Sequence, residues 1–187
     1  MLRPGDFFDL SRLAGAFVDL FDGVSEVWAA VPRLQIVLER FFRTPGKILG
    51  HIEPGAVLVH PESIYVGRGA RVEAGAYIRG PAYLGDECCV RHGAYLRGNV
   101  MAGKGCVLGH ASEFKNALLL DETSAAHFAY VGDSLLGHKV NLGAGTKLSN
   151  FGLLSEQPAG PGVQRTVKLR IPAVSASAID TGLLKLG

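Results

Sequence analysis

Apolar residues in the middle of this chain keep neither a helical nor a simple strand rhythm. In "YVGRGARVEAGAYIRGPAYLGDECCV", residues 65 to 90, Val66, Val72, Ile78, Leu84 and Val90 fall six apart. Small residues (Ala70, Ala76, Ala82 and Cys88) follow the first four of them by four positions. The register runs on through Leu96, Ala102, Leu108, Phe114, Leu120 and Ala126, with Val100, Cys106, Ser112, Leu118 and Ser124 in the fifth place of each hexad. After Ala126 the spacing shortens to five twice, at Val131 and Leu136, and returns to six at Leu142 and Leu148. Six fits neither the helical period of about 3.6 nor the strand period of about 2. It is the signature of a parallel β-helix, in which each hexad is a short strand and a turn and three hexads make one triangular coil. One coil cannot bury its own inner face, so stacking stabilises the whole.

The first fifty residues read differently. Leu10, Leu13, Phe17 and Phe21 predict an amphipathic helix from Phe7 to Phe21, with Asp6 placed to cap its first turn. Val27, Val31, Leu34, Leu38 and Phe41 predict a second helix, which Pro32 either kinks or starts afresh. The organisation is therefore a helical segment over 1–50, a β-helix over 51–150, and a loop and strand excursion over 151–187. The apolar helix faces need cover, which an end or a side of the prism can supply.

Composition narrows the class. At 187 residues and 48% apolar content the chain has the size and the core of one domain. A net charge of +2 gives no global field that would favour nucleic acid. No apolar run approaches the roughly 20 residues of a membrane span, and "MLRPGDFFDL" lacks the layout of a signal peptide. Three cysteines without metal-ligand spacing suit a reducing cytoplasm and predict no metal site. Cys88 and Cys106 occupy the small, inward place of the repeat.

A prism converts spacing into columns, because residues one coil apart share an edge at roughly 4.8 Å. Arg79, Arg97 and Lys115 stand 18 apart, each just after an inward residue. Stacked cations repel, so the column is either a solvated ladder with salt-bridge partners or a phosphate site. The register breaks in "EFKNALLLDETSAAHFAYVGDSLLGHKVNLGAGTKLSN", residues 113 to 150, where the two short steps bracket His127 and Tyr130. His127 points outward in this register.

The segment "AAHFAYVGDSLLGHKVNLGAGT" resembles the motif A-G-H-x-x-Y-x-G-D-x-x-I-G-x-x-V-N-I-G-A-G-T. That motif belongs to the acetyltransferase domain of bifunctional glucosamine-1-phosphate acetyltransferase/uridylyltransferases and to related archaeal sugar-phosphate acetyltransferase/nucleotidyltransferases. The resemblance implies a left-handed parallel β-helix, a homotrimer with sites between prisms, and transfer of an acetyl group from acetyl-CoA to an amino-sugar phosphate. It implies that His127 is the base, that Arg97 and Lys115 hold the phosphate, and that Tyr130, Asn141 and Asn150 touch the substrate. Ala144 matches a backbone position that lines acetyl-CoA. Two departures stand out. "NFGLL" replaces the family's Asn-Tyr-Asp-Gly turn, which leaves a following lysine contact without a match unless Lys168 supplies it. No Gly-rich nucleotide-binding segment is present, so nucleotidyl transfer is not expected. Later coils help to hold coenzyme A in the family, so a chain ending at Gly187 implies an incomplete donor site. The alternative is a non-catalytic sugar-phosphate-binding or assembly module. A different acyl acceptor is a third reading, since a fold does not settle function.

Overall fold

The six-residue beat folds into short parallel strands stacked coil on coil. They are seen in a computed structural model that describes residues 2–148 and the backbone of the strand Leu183–Lys185. Three columns of strands form the faces of a parallel β-helix. The first face stacks His51–Ile52, Arg71–Val72, Cys89–Val90, Val107–His110 and Ser124–His127. The second stacks Val57–Val59, Tyr77–Arg79 and Tyr95–Leu96, and the third Ile64–Val66, Ala82–Leu84 and Val100–Ala102. Above them two seven-residue strands, Glu113–Leu119 and Tyr130–Leu136, each bend around the edge between the second and third faces. Lys147–Leu148 adds to the second face, and Leu183–Lys185 pairs antiparallel with Ser134–Leu136 on the third.

The interior is the apolar column that the beat predicts. Val66, Val72, Ile78, Leu84, Val90, Leu96, Ala102, Leu108 and Phe114 are fully buried in one cluster, and Cys88 and Cys106 point into it. Two details of the register differ from expectation. The first five-residue step runs from Phe114 to Leu119, not after Ala126: Leu119 pairs with Ala102, and Ala125 pairs with Leu108. Leu120 and Ala126 therefore do not fill the prism. The inward small places are Ala117 and Thr123, not Leu118 and Ser124. The shortening falls on the edge between the second and third faces. There the turn Arg97-Gly98-Asn99 of one coil becomes Lys115-Asn116 in the next and Gly132-Asp133 in the one above. One residue is lost from the turn, and the strands above stay in phase.

Leu118 and Leu120 are buried nonetheless, because the helical segment covers the outside of the third face. Helix α1 (Ala16–Phe21) and helix α2 (Ala30–Phe41) enclose a second apolar cluster, in which Leu20, Leu34 and Leu38 meet Met101, Leu118 and Leu135. Tyr65 and Tyr83 lie stacked on this face, 4.8 Å apart, with Phe41 edge-on to both. The helices thus pack against a side of the prism. The first is shorter than its apolar spacing predicts. Two 3₁₀ turns, Pro4–Asp6 and Leu10–Arg12, precede it, and Gly15 at φ 57° blocks earlier helix. Asp6 accepts from the Arg3 amide within the first of these turns, and Asp9 caps the second through the Ser11 amide. Pro32 sits in the first turn of α2, where its missing N–H is not needed, so it starts the helix rather than kinking it. Among the described residues no helix is long and apolar enough to cross a membrane.

Candidate functional site

At the edge between the first and second faces, three histidines stand one coil apart: His92, His110 and His127. The lower two are tethered. Nδ1 of His92 lies 2.6 Å from the Ala74 carbonyl, Nδ1 of His110 lies 2.9 Å from the His92 carbonyl, and their rings stack at 5.8 Å. A carbonyl only accepts, so each of these nitrogens carries a proton. His127 ends the last strand of the first face and is exposed. Among the described residues nothing hydrogen-bonds its ring, so both nitrogens are open to a ligand. Ala144 stands one coil above it, where the Gly145 amide donates to the His127 carbonyl at 3.2 Å.

Beyond the corner, on the second face, the next outward residue is Tyr130. Its ring lies over Gly132: a Cβ at that glycine would meet the phenol carbon and oxygen at 2.7 Å. Gly132 is in register with Lys115, and Lys115 stands one coil above Arg97. The tyrosine therefore lies across the top of the Arg79–Arg97–Lys115 column. Each upper cation has a carboxylate partner. Arg97 meets Glu113 at 2.6 Å, which raises the arginine pKa, and Lys115 lies 3.5 Å from Asp133. Asp133 also accepts from Asn116 at 2.7 Å, and Asn116 accepts from Asn99 at 2.9 Å, so an amide ladder braces the edge beside the cations.

Asn141 is elsewhere. It bridges to Ser124 at the top of the first face and points outward from it. A single prism therefore brings His127, Ala144 and Tyr130 around one edge, stacks Arg97 and Lys115 on the adjoining face, and leaves Asn141 on the other side of that edge. Asn150 and Lys168 lie outside the described residues. Glu113 and Lys147 lie outside the quoted motif, and Asp133 stands in it after Gly132 without an assigned role. Lys147 sits one coil above Tyr130, with Nζ 3.0 Å from the Phe128 carbonyl and 4.1 Å from the Phe128 ring centre, beside His127. Columns of 17 rather than 18 are the signal that finds Asn99, Asn116 and Asp133. Among the described residues no group of three or more His, Cys, Asp or Glu side chains could hold a metal ion.

Comparison with known proteins adds an independent line. A stretch of 111 residues, 57% of the chain, is 50% identical to a protein of Cyanothece sp.. The chain is similar to the bifunctional protein GlmU. The GlmU of Trichormus variabilis is 30% identical over 111 residues, and that of Gloeobacter violaceus 54% over 39 residues. The chain spans only part of these relatives: the matches cover 20%, 21% and 9% of their respective lengths. No family model matches the chain.

Proposed function

We propose that this chain is an acyltransferase domain that carries the acetyl group of acetyl-CoA to the amine of an amino-sugar phosphate such as glucosamine 1-phosphate, a step toward nucleotide sugars. One observation carries the reading: an exposed imidazole, without a partner among the described residues, stands directly below Ala144 and beside a tyrosine that crosses a column of stacked cations. In this scheme the sugar nitrogen attacks the thioester carbon. An N–C bond forms, the C–S bond breaks, and His127 takes the amine proton and returns it to the leaving thiolate. Imidazole, which both takes and gives up a proton, suits both transfers. Arg97 and Lys115 take the phosphate. Their side chains are 42% and 36% exposed, and ion pairs so placed are worth only about 0–1 kcal/mol, so Glu113 and Asp133 are weak competitors for them. Asn141 on one face and Tyr130 on the next would reach one substrate if copies pack side by side, as in the homotrimer that the resemblance implies. The backbone at Ala144 is open to the donor.

Thiol release from acetyl-CoA, followed with and without glucosamine 1-phosphate, tests the chemistry. His127→Ala should lower transfer roughly 10²–10⁴-fold while calorimetric binding of the sugar phosphate changes little. Arg97→Ala should weaken glucosamine 1-phosphate by about 1.5–3 kcal/mol, the usual worth of a hydrogen bond to a charged group, and leave glucosamine unaffected. Equal affinity for the two sugars in the unaltered protein would sink the phosphate role. Unchanged transfer in His127→Ala would sink the base.

A further inference from the structure

The edge between the third and first faces has chemistry of its own. One residue per coil stands there in the order Arg68, Asp86, Lys104, Asp121, His138, so the charge alternates up the prism. The carboxylates each use one oxygen on the coil below: Asp86 Oδ1 accepts from the Arg68 amide at 2.8 Å, and Asp121 Oδ1 accepts from the Lys104 amide at 2.9 Å. Both residues line the opening between this edge and the segment carrying Arg12 and Phe17, a cleft of about 290 Å³. His138 lines it and is only 8% exposed, yet among the described residues neither of its ring nitrogens has a hydrogen-bond partner. Its nearest carboxylate oxygen, Asp121 Oδ2, is 3.9 Å away, beyond hydrogen-bond reach. Burial, and next the Arg12 guanidinium, hold its pKa below the usual value, so the ring is neutral with one donor and one acceptor. Leaving such a buried group unsatisfied is costly. That cost is recovered when something in the cleft completes the bonds.

The lining limits what that is. Arg12 and Lys104 balance Asp86 and Asp121, so a simple anion or a diamine gains from one pair what it loses to the other. The groups along the edge are both acceptors (the carboxylates and one imidazole nitrogen) and donors (Arg12, the other imidazole nitrogen, and Lys104, whose exposed partner Glu87 lies 3.5 Å away). Hydroxyls, which donate and accept at once, match this mixture. The remaining wall is aromatic: Tyr83, stacked on Tyr65, has Phe17 edge-on at 5.5 Å. A cleft at the small end of the roughly 300–1,000 Å³ of ligand sites admits one ring, not a coenzyme. We infer that this cleft is a second binding site, for the pyranose ring of a neutral sugar, with Asp86, Asp121 and His138 holding its hydroxyls. It lies away from the edge that carries His127 and does not rest on the acetyl-transfer reading.

Imidazole nitrogen resonances of His138, assigned with His138→Gln, report on the site directly. Titrations with N-acetylglucosamine, glucose, inorganic phosphate and putrescine separate the chemical classes. A saturable shift with a sugar at millimolar concentration is expected. It should weaken at least tenfold in Asp121→Asn and in Asp86→Asn, both of which keep an oxygen for the amide below, and persist in Arg97→Ala. Several results would overturn the proposal: saturation by phosphate or putrescine but by no sugar; a sugar response that survives both Asn variants; one lost only with Arg97; or no shift with either sugar at tens of millimolar.

Discussion

Gly109, Ala126 and Gly143 stand in one column on the edge beside the histidines, 17 residues apart, yet the two glycines face opposite circumstances. A Cβ on Gly109 would lie 1.9 Å from the Ala126 carbonyl oxygen and 2.0 Å from its carbon, whereas among the described residues nothing lies within 4 Å of a Cβ on Gly143. Neither has a positive φ, so alanine brings no backbone strain at either position. The obstacle above Gly109 is main chain and cannot rotate away, so the coils must part by roughly 1.5 Å to restore contact distance, against a spacing of about 4.8 Å. That movement breaks the ladder around His110 and His127, including the 2.8 Å bond from the Phe128 amide to the His110 carbonyl. Overpacking costs about 1–3 kcal/mol, and each of two lost backbone bonds about 1 kcal/mol. Gly109→Ala should therefore destabilise by roughly 3–5 kcal/mol, a large part of a typical domain's 5–15 kcal/mol. Gly143→Ala should stay within about 0.5 kcal/mol. Urea denaturation followed by far-ultraviolet circular dichroism, with m-values compared to check for altered cooperativity, measures both. Midpoints for the two variants equivalent to within about 1 kcal/mol would refute the stacking geometry at this edge.

Tyr83 should titrate late. Burial, with Tyr65 beside it, pushes its phenol up to about 12 from the ordinary 10.0. The folded state thus favours the neutral phenol, so the contribution to stability is intact below pH 10 and is lost as the pH rises through about 12. Ultraviolet difference titration should show one late step among the five tyrosines, absent in Tyr83→Phe, and a single transition near pH 10 would contradict the burial. The thiols should divide as well. Cys88 and Cys106 are buried, and the hydrogen bond with Cys88 together with burial pushes the Cys106 thiol up, so a disulfide reagent should label Cys89 alone in the native state. Native labelling of Cys106 at a rate similar to Cys89 would place it outside the prism.

The six-residue beat was enough to read the solenoid and most of its core, because a residue facing the narrow interior has few alternatives to Val, Ile, Leu or Ala. It misplaced the first short step for an equally physical reason. Leu118, Leu119 and Leu120 are three apolar residues in a row, and only Leu119 enters the prism; the other two are apolar because helices cover that face from outside. Periodicity cannot separate an inner face from a covered outer one. Helix α1 fell short for local reasons, since Gly15 outweighs the spacing of Leu10 and Leu13. At the candidate site, the motif gave His127 and Tyr130 and the 18-residue spacing gave Arg97 and Lys115, but neither showed that Glu113 and Asp133 pair with the cations. His138 lay inside the quoted motif as an unassigned position. What marks it, burial without a partner, exists only once the N-terminal segment is packed over it.

A single-residue deletion inside a strand turns every later side chain to the wrong face. At the edge where Arg97-Gly98-Asn99 gives way to Lys115-Asn116, the same deletion leaves the coils above in phase, because the shortfall is taken up in a turn before the next strand begins. That edge is where a gene encoding this fold can lose or gain one codon and still specify a closed prism. The codon it loses there changes which side chains overlook the cations, so length variation at this one corner can alter a binding surface while the core stays in register.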